Sequence, residues 1–220
     1  LYVAQEERVL SVNGNTMTPA KATLETYKAR GLSAIPPDGL LSAGVPAAPA
    51  ALLSTLEHYG SLPLEVILMP ALELARDGFP AHPGLIHMPR MGLCVVKDRL
   101  CQDWSNSARL YHVQDNQLPP VGQVIVNTAY ANLLSEFIEQ ARKAEPEGDS
   151  KAGARAAREW FYRVDPAAII TAFSHERDGL LELEDFAALR TAFETTASVT
   201  FADVTVHKCG PWSQGPVFLQ

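Results

Sequence analysis

At 220 residues, with 47% hydrophobic, 20% charged and 8% aromatic side chains, the chain carries enough apolar surface for a packed core, which excludes fibrous, collagen-like and wholly disordered classes. Eighteen Lys and Arg against 25 Asp and Glu give a formal charge of −7, the wrong sign for a protein whose main task is gripping nucleic-acid phosphates. Cys94, Cys101 and Cys209 form no CxxC pair and cannot all be bridged within the chain, and the long apolar stretches are broken by Pro46, Pro49, Pro63 and Pro70. A disulfide scaffold, a structural zinc site and a membrane-spanning helix of roughly 20 residues are therefore not expected.

Along the chain, Leu1–Val3 and Val9–Val12 flank the polar turn Gln5–Arg8, which predicts a β-hairpin. Pro46–Tyr59 is rich in Ala and Leu, has its prolines at the opening and stops at Gly60, the pattern of a helix. Leu62–Asp77 reads as two short helices meeting at Pro70 and ended by Gly78, because an interior proline removes a hydrogen-bond donor. Leu133–Lys143 places Leu134, Phe137, Ile138 and Ala141 on one helical face. The polar run 145–153 predicts a mobile loop or weak boundary inside a single domain spanning 1–220. Helices are expected over Ala154–Phe173, restarting at Pro166, and over Glu182–Phe193. Ser198–Phe201 and Val204–Lys208 alternate about Ala202-Asp203 as a second hairpin. The fold class expected is α+β, mostly helical, with two or more β-hairpins.

Local chemistry is sparse. In SHERDGLLELED (174–185), Ser174, Glu176, Asp178, Glu182 and Asp185 fall on positions 1, 3, 5, 9 and 12 of an EF-hand-like loop with Gly179 at position 6. A non-catalytic binding module with a single calcium loop is therefore the competing class, although Ser174 and Asp185 replace the usual Asp and Glu; the alternative is an acidic helix start after a glycine turn. His82 and His87 lack the HExxH spacing and read as packing or surface residues, and Cys94 and Cys101 as small buried ones. Ser213 lacks the glycine of a nucleophile elbow, and Trp212 reads as core. Thr195 and Thr196 resemble a threonine nucleophile, but such a residue needs a free α-amine, which a continuous chain does not supply.

The order of segments says more. SAGVPAAPAALLSTLEHYGSLPLEVILMPALELARDGFP (42–80) strongly resembles the large subunit of the γ-glutamyltransferase (γ-glutamyltranspeptidase) family: a Gly-Val-Pro lead, a Tyr-Gly-x-Leu-Pro turn, a Pro-Ala-centred helix and a Gly-Phe-Pro stop. VNGNTMTPAKAT (12–23) resembles its Asp-Gly-Arg-Glu-Thr-Ala-Pro segment, and AREWFY, DGLLELEDFAALR and GPWSQGPVFLQ resemble later segments in the family's order. The resemblance implies an N-terminal-nucleophile hydrolase, an αββα sandwich when complete with a small subunit. It implies a self-cleaving precursor whose Thr nucleophile lies beyond Gln220 on that small subunit, a small-molecule amide substrate, and no metal or organic cofactor. The chain would then be part of a large subunit, in keeping with its abrupt apolar ends. The family's Arg, which holds the α-carboxylate of a γ-glutamyl group, aligns with Asn15, which is thus either a substrate-binding residue or a plain turn asparagine. Asn lacks the charged bidentate fork, which favours an amidohydrolase or acylase for a different acyl group. The Trp-containing Gly210–Gly215 segment replaces small Ser and Gly residues, so a pocket wall there would be bulkier. With no signal peptide or glycosylation sequon visible, cytoplasm and periplasm both remain open and the reading leans to cytoplasm.

Overall fold

The computed structural model describes residues 1–144 and 149–220. In chain order the elements are β1 (Tyr2–Val3), β2 (Arg8–Asn13), α1 (Leu24–Ala29), α2 (Ala48–Tyr59), α3 (Leu64–Asp77), β3 (Phe79–Pro80), α4 (Pro83–His87), α5 (Leu93–Asp103) and α6 (Ser105–Leu110). After these come β4 (Val124–Ile125), α7 (Thr128–Ala144), α8 (Ser150–Arg163), α9 (Asp165–His175), α10 (Leu183–Ala188), β5 (Ala192–Thr195), β6 (Ala197–Phe201), β7 (Val204–Lys208) and α11 (Gly215–Phe218). The result is a mostly helical α+β chain. It divides into two compact units, 1–63 with 140–220, and 64–139.

In the first unit, β1 and β2 form the expected hairpin, with Tyr2 opposite Val9, and β2 continues antiparallel into β5, with Leu10 opposite Thr195 and Asn13 opposite Ala192. The second hairpin is also present, Ala197 pairing with Lys208, and it turns at Ala202 and Asp203, both at positive φ. That backbone matches the right-handed twist of the strands. Helix α2 lies against α8, and the interface is built from small side chains, Ala50, Ala154 and Ala157, which let the two backbones approach closely. Larger groups fill the flanks: Leu53, Phe161, Tyr162 and Phe186 are all buried.

Tyr162 does more than fill space. No side chain of its own caps the start of α2, and the Ala50 N–H instead donates to Tyr162 Oη (3.0 Å), while that hydroxyl donates to the Pro46 carbonyl. Burial, only partly offset by the Ala50 N–H and the Arg158 charge, pushes the phenol up to about 12. On the outer side of the same interface, Glu57 accepts from Arg155 Nε and Arg158 Nη1, both at 2.6 Å. Burial works to raise the Glu57 pKa, but the two guanidiniums outweigh it and hold the carboxyl below its usual range.

The second unit packs α3 against α7 through Leu72, Ala75, Ala131, Leu134 and Ile138. A second cluster, Leu93, Leu100, Ala108 and Val113, joins α5 to α6, and Ile86 and Ile125 close a third around the β3–β4 pair.

Four expectations are corrected. Leu64–Asp77 is one helix with Pro70 inside it, not two helices. Val66 and Pro70 are both exposed, so the carbonyl that Pro70 cannot satisfy lies toward water, while Leu72 and Ala75 hold the buried face. Gly78 ends the helix at φ 92°, a conformation that favours glycine. The helix expected over Glu182–Phe193 stops at Ala188, because Ala192–Thr195 is claimed by the β2 ladder. Of the loop expected over 145–153, residues 145–148 lie outside the described residues, whereas Asp149 caps α8, accepting from the N–H groups of Lys151 and Ala152, and 150–153 are helical. Finally, Cys94 and Cys101 are half-buried, not buried.

Candidate functional site

Strand β2 delivers the Asn13-Gly14-Asn15 loop to the end of the sheet. Gly14 packs closely on α2: a Cβ there would stand 3.1 Å from the Ala51 methyl, so a larger residue would require a few tenths of an ångström of adjustment. Asn13 Oδ1 accepts the Asn15 N–H (3.1 Å), an Asx turn that fixes the Asn15 backbone and leaves its side chain exposed.

The organising group is Glu194 of β5. Its Oε1 accepts from Asn13 Nδ2 (3.2 Å) and its Oε2 from Trp212 Nε1 (2.5 Å). One carboxylate thereby joins the Asn15 loop to the Gly210–Gly215 segment. Trp212 is 36% exposed and not core, which corrects the sequence reading: its indole spans the surface between these segments. Ser213 Oγ donates to the Gly210 carbonyl and accepts from the Gly215 N–H, both at 3.0 Å, so this hydroxyl closes a turn. Beside it lies a cleft of about 730 Å³ whose lining includes Leu10, Ser11, Thr196, His207, Ser213 and Phe218. The Ser11 hydroxyl is buried and finds no partner among the described residues.

Glu194 went unnoticed in the sequence. The only available signal was the run Ala192–Thr195, hidden at the end of an apparent helix. Thr195 sits within β5 and Thr196 between β5 and β6, each in continuous chain.

The EF-hand-like segment 174–185 is the acid-capped helix start after a glycine turn, with Glu182 and Asp185 forming a capping box at the start of α10. Ser174 is buried, and its Oγ accepts from the Leu181 N–H (3.3 Å). Asp185 takes the N–H groups of Ala20 and Glu182, both at 2.9 Å, and Glu182 pairs with Lys21 and His175. These partners occupy the side-chain oxygens of Ser174, Glu182 and Asp185, three of the five loop positions. Among the described residues, no group of three or more His, Cys, Asp or Glu is arranged to hold a metal ion. Instead, 174–185 clamps the Pro-Ala-Lys-Ala-Thr segment that follows the Asn15 loop. His82 Nδ1 accepts from the Leu85 N–H (3.1 Å) at the start of α4 and is not drawn toward His87.

The Gamma-glutamyltranspeptidase family model matches residues 1–220, and the chain belongs to that family. It is 25% identical over 221 residues to the glutathione hydrolase proenzyme of Escherichia coli (strain K12), a match covering 96% of this chain and 34% of that protein. Among solved structures, LmbA2991HD superposes with a TM-score of 0.82 at 28% identity, covering 96% of this chain and 36% of the other. The cephalosporin acylase of Bacillus halodurans gives 0.74 at 26% identity, covering 91% and 34%. The chain thus spans about a third of the length of these relatives.

Proposed function

We propose that residues 1–220 serve as one large-subunit domain of an amide-hydrolysing or acyl-transferring enzyme whose nucleophile is an N-terminal Thr on a small subunit outside this chain. The observation that carries this reading is the family match along the whole of 1–220, with the Asn15 loop held beside Gly210–Gly215. The word proenzyme in the name of the Escherichia coli relative supports a self-cleaving precursor, and the family resemblance implies an αββα sandwich as the complete fold.

In this scheme the free α-amine of the Thr acts as base for its own hydroxyl, which attacks the amide carbonyl. Oxyanion donors stabilise the tetrahedral intermediate, the amine leaves, and water or an acceptor amine releases the acyl group. Asn15 is proposed to line the acyl pocket. It donates neutral hydrogen bonds where the family's Arg would clamp a carboxylate, and Trp212 narrows the wall. The acyl group is therefore not γ-glutamyl; a relative named as a cephalosporin acylase fits a family that handles more than one acyl class.

Intact-mass spectrometry with N-terminal sequencing of the full-length protein tests the first part, and the expected result is two fragments, the second beginning with Thr. A single uncleaved species would overturn it. For the second part, turnover of γ-glutamyl p-nitroanilide is expected to be weak or absent and to rise in Asn15→Arg. Vigorous wild-type turnover would show the reading of Asn15 to be wrong.

A further inference from the structure

A second cleft, of about 400 Å³, opens among α2, α8, α10 and β5. Its lining brings together the guanidiniums of Arg158, Arg163 and Arg190 and the rings of His58, Tyr162 and Phe193. We infer that this cleft binds a small aromatic oxyanion, a flat ring carrying a carboxylate or a phosphate.

Charge is the first argument. The three lining arginines face the single lining carboxylate of Glu159, and adding the neighbouring Arg155 and Glu57 leaves four guanidiniums against two carboxylates. This local excess sits on a chain whose formal charge is −7. Two of the guanidiniums are already pinned. Arg158 Nη1 donates to Ser54 Oγ (2.7 Å) and Glu57 Oε2 (2.6 Å), and Arg163 Nε donates to Glu159 Oε2 (2.6 Å). Arg190 differs. Its Nη1 donates to the carbonyls of Ala187 (2.6 Å) and Leu189 (2.7 Å), and it has no carboxylate partner among the described residues. Held by backbone acceptors, it keeps its remaining donors and its full charge for a ligand, and a guanidinium fork suits a carboxylate or phosphate equally.

The rings supply the second argument. His58 Nδ1 is tied to the Ser54 carbonyl (2.8 Å), and the His58 and Phe193 rings pack at a tilt of 53° with centroids 4.9 Å apart, with Tyr59 edge-on to Phe193 at 5.6 Å. An aromatic wall beside a guanidinium that lacks a carboxylate partner accepts a planar ring better than a flexible chain. The volume lies in the range of small-molecule sites.

Isothermal titration of the purified full-length protein with phenyl phosphate, benzoate, inorganic phosphate and the uncharged benzamide tests this. Saturable binding of phenyl phosphate or benzoate is expected, with weaker inorganic phosphate and no benzamide binding. Preference between the two aromatic anions tells a phosphate ester from a carboxylate ligand. Arg190→Gln is expected to weaken binding about tenfold, and Arg163→Gln to weaken it in the same direction. The wild-type contrast between benzoate and benzamide needs no variant and stands even if both substitutions unfold the chain. No saturation by about 10 mM of either aromatic anion, the result for a cleft filled by polypeptide outside this chain, would overturn the inference, as would equal binding of benzamide.

Discussion

Tyr162 concentrates several consequences in one hydroxyl. Replacing it by Phe leaves the Ala50 N–H and the Pro46 carbonyl without their partner inside a packed interface, at a cost of about 1–3 kcal/mol, measurable as a lower urea midpoint. The pH dependence carries its own sign. The unfolded phenol ionises near its ordinary value of 10, whereas the folded one keeps its proton up to about 12. The folded state thus binds more protons between those values, so this contribution is complete below about pH 10 and is lost as pH rises to about 12. Tyr162→Phe is expected to flatten that part of the stability profile, and an unchanged slope would refute the assignment. Nothing in the sequence marks Tyr162 as a cap for a helix more than a hundred residues earlier, because a hydrogen bond to a backbone N–H constrains no residue type at position 50. Asn15 was proposed only through the collinear family segments. Glu194 was not, since its role depends on two partners that meet only after β2 and β5 pair.

Among the elements, helices announced themselves through apolar periodicity: α2 and α9 fall close to their expected bounds, whereas α7 and α8 begin four to five residues earlier than the apolar pattern showed, because their first turns are polar or small. The misreadings arose where tertiary context outweighs local preference. Pro70 looked like a boundary because an interior proline costs a helix up to about 3 kcal/mol relative to Ala, yet the packing of Leu72 and Ala75 carries α3 through it. Pro70→Ala is therefore expected to stabilise α3 by up to that amount, read as a higher melting temperature. A drop would mean that the ring itself makes a needed contact. At the other end of the chain, Ala192–Thr195 has no strong preference of its own and becomes a strand because β2 offers a ladder. By contrast, the reading of 174–185 as an acidic helix start after a glycine turn holds: its carboxylates take backbone N–H groups and a lysine instead of a metal ion.

At the scale of the whole molecule, composition set the class and segment order set the family, while the division of the chain was not visible in either. The unit formed by 64–139 is continuous, whereas the other is assembled from 1–63 and 140–220. Pairing of Leu10 with Thr195 must close almost the entire chain, so its entropic cost comes late. Pulse-labelled hydrogen exchange during refolding is expected to show the amides of α3 and α7 protected before those of β2 and β5; the reverse order would show that the sheet nucleates. Synthesis on the ribosome sharpens the point. The continuous unit emerges whole, while β2 waits with one edge uncovered until β5 has been translated, and an uncovered edge pairs readily with a neighbouring nascent chain. Production of this protein should accordingly be sensitive to translation speed across 140–195 and to the supply of holdase chaperones during that interval.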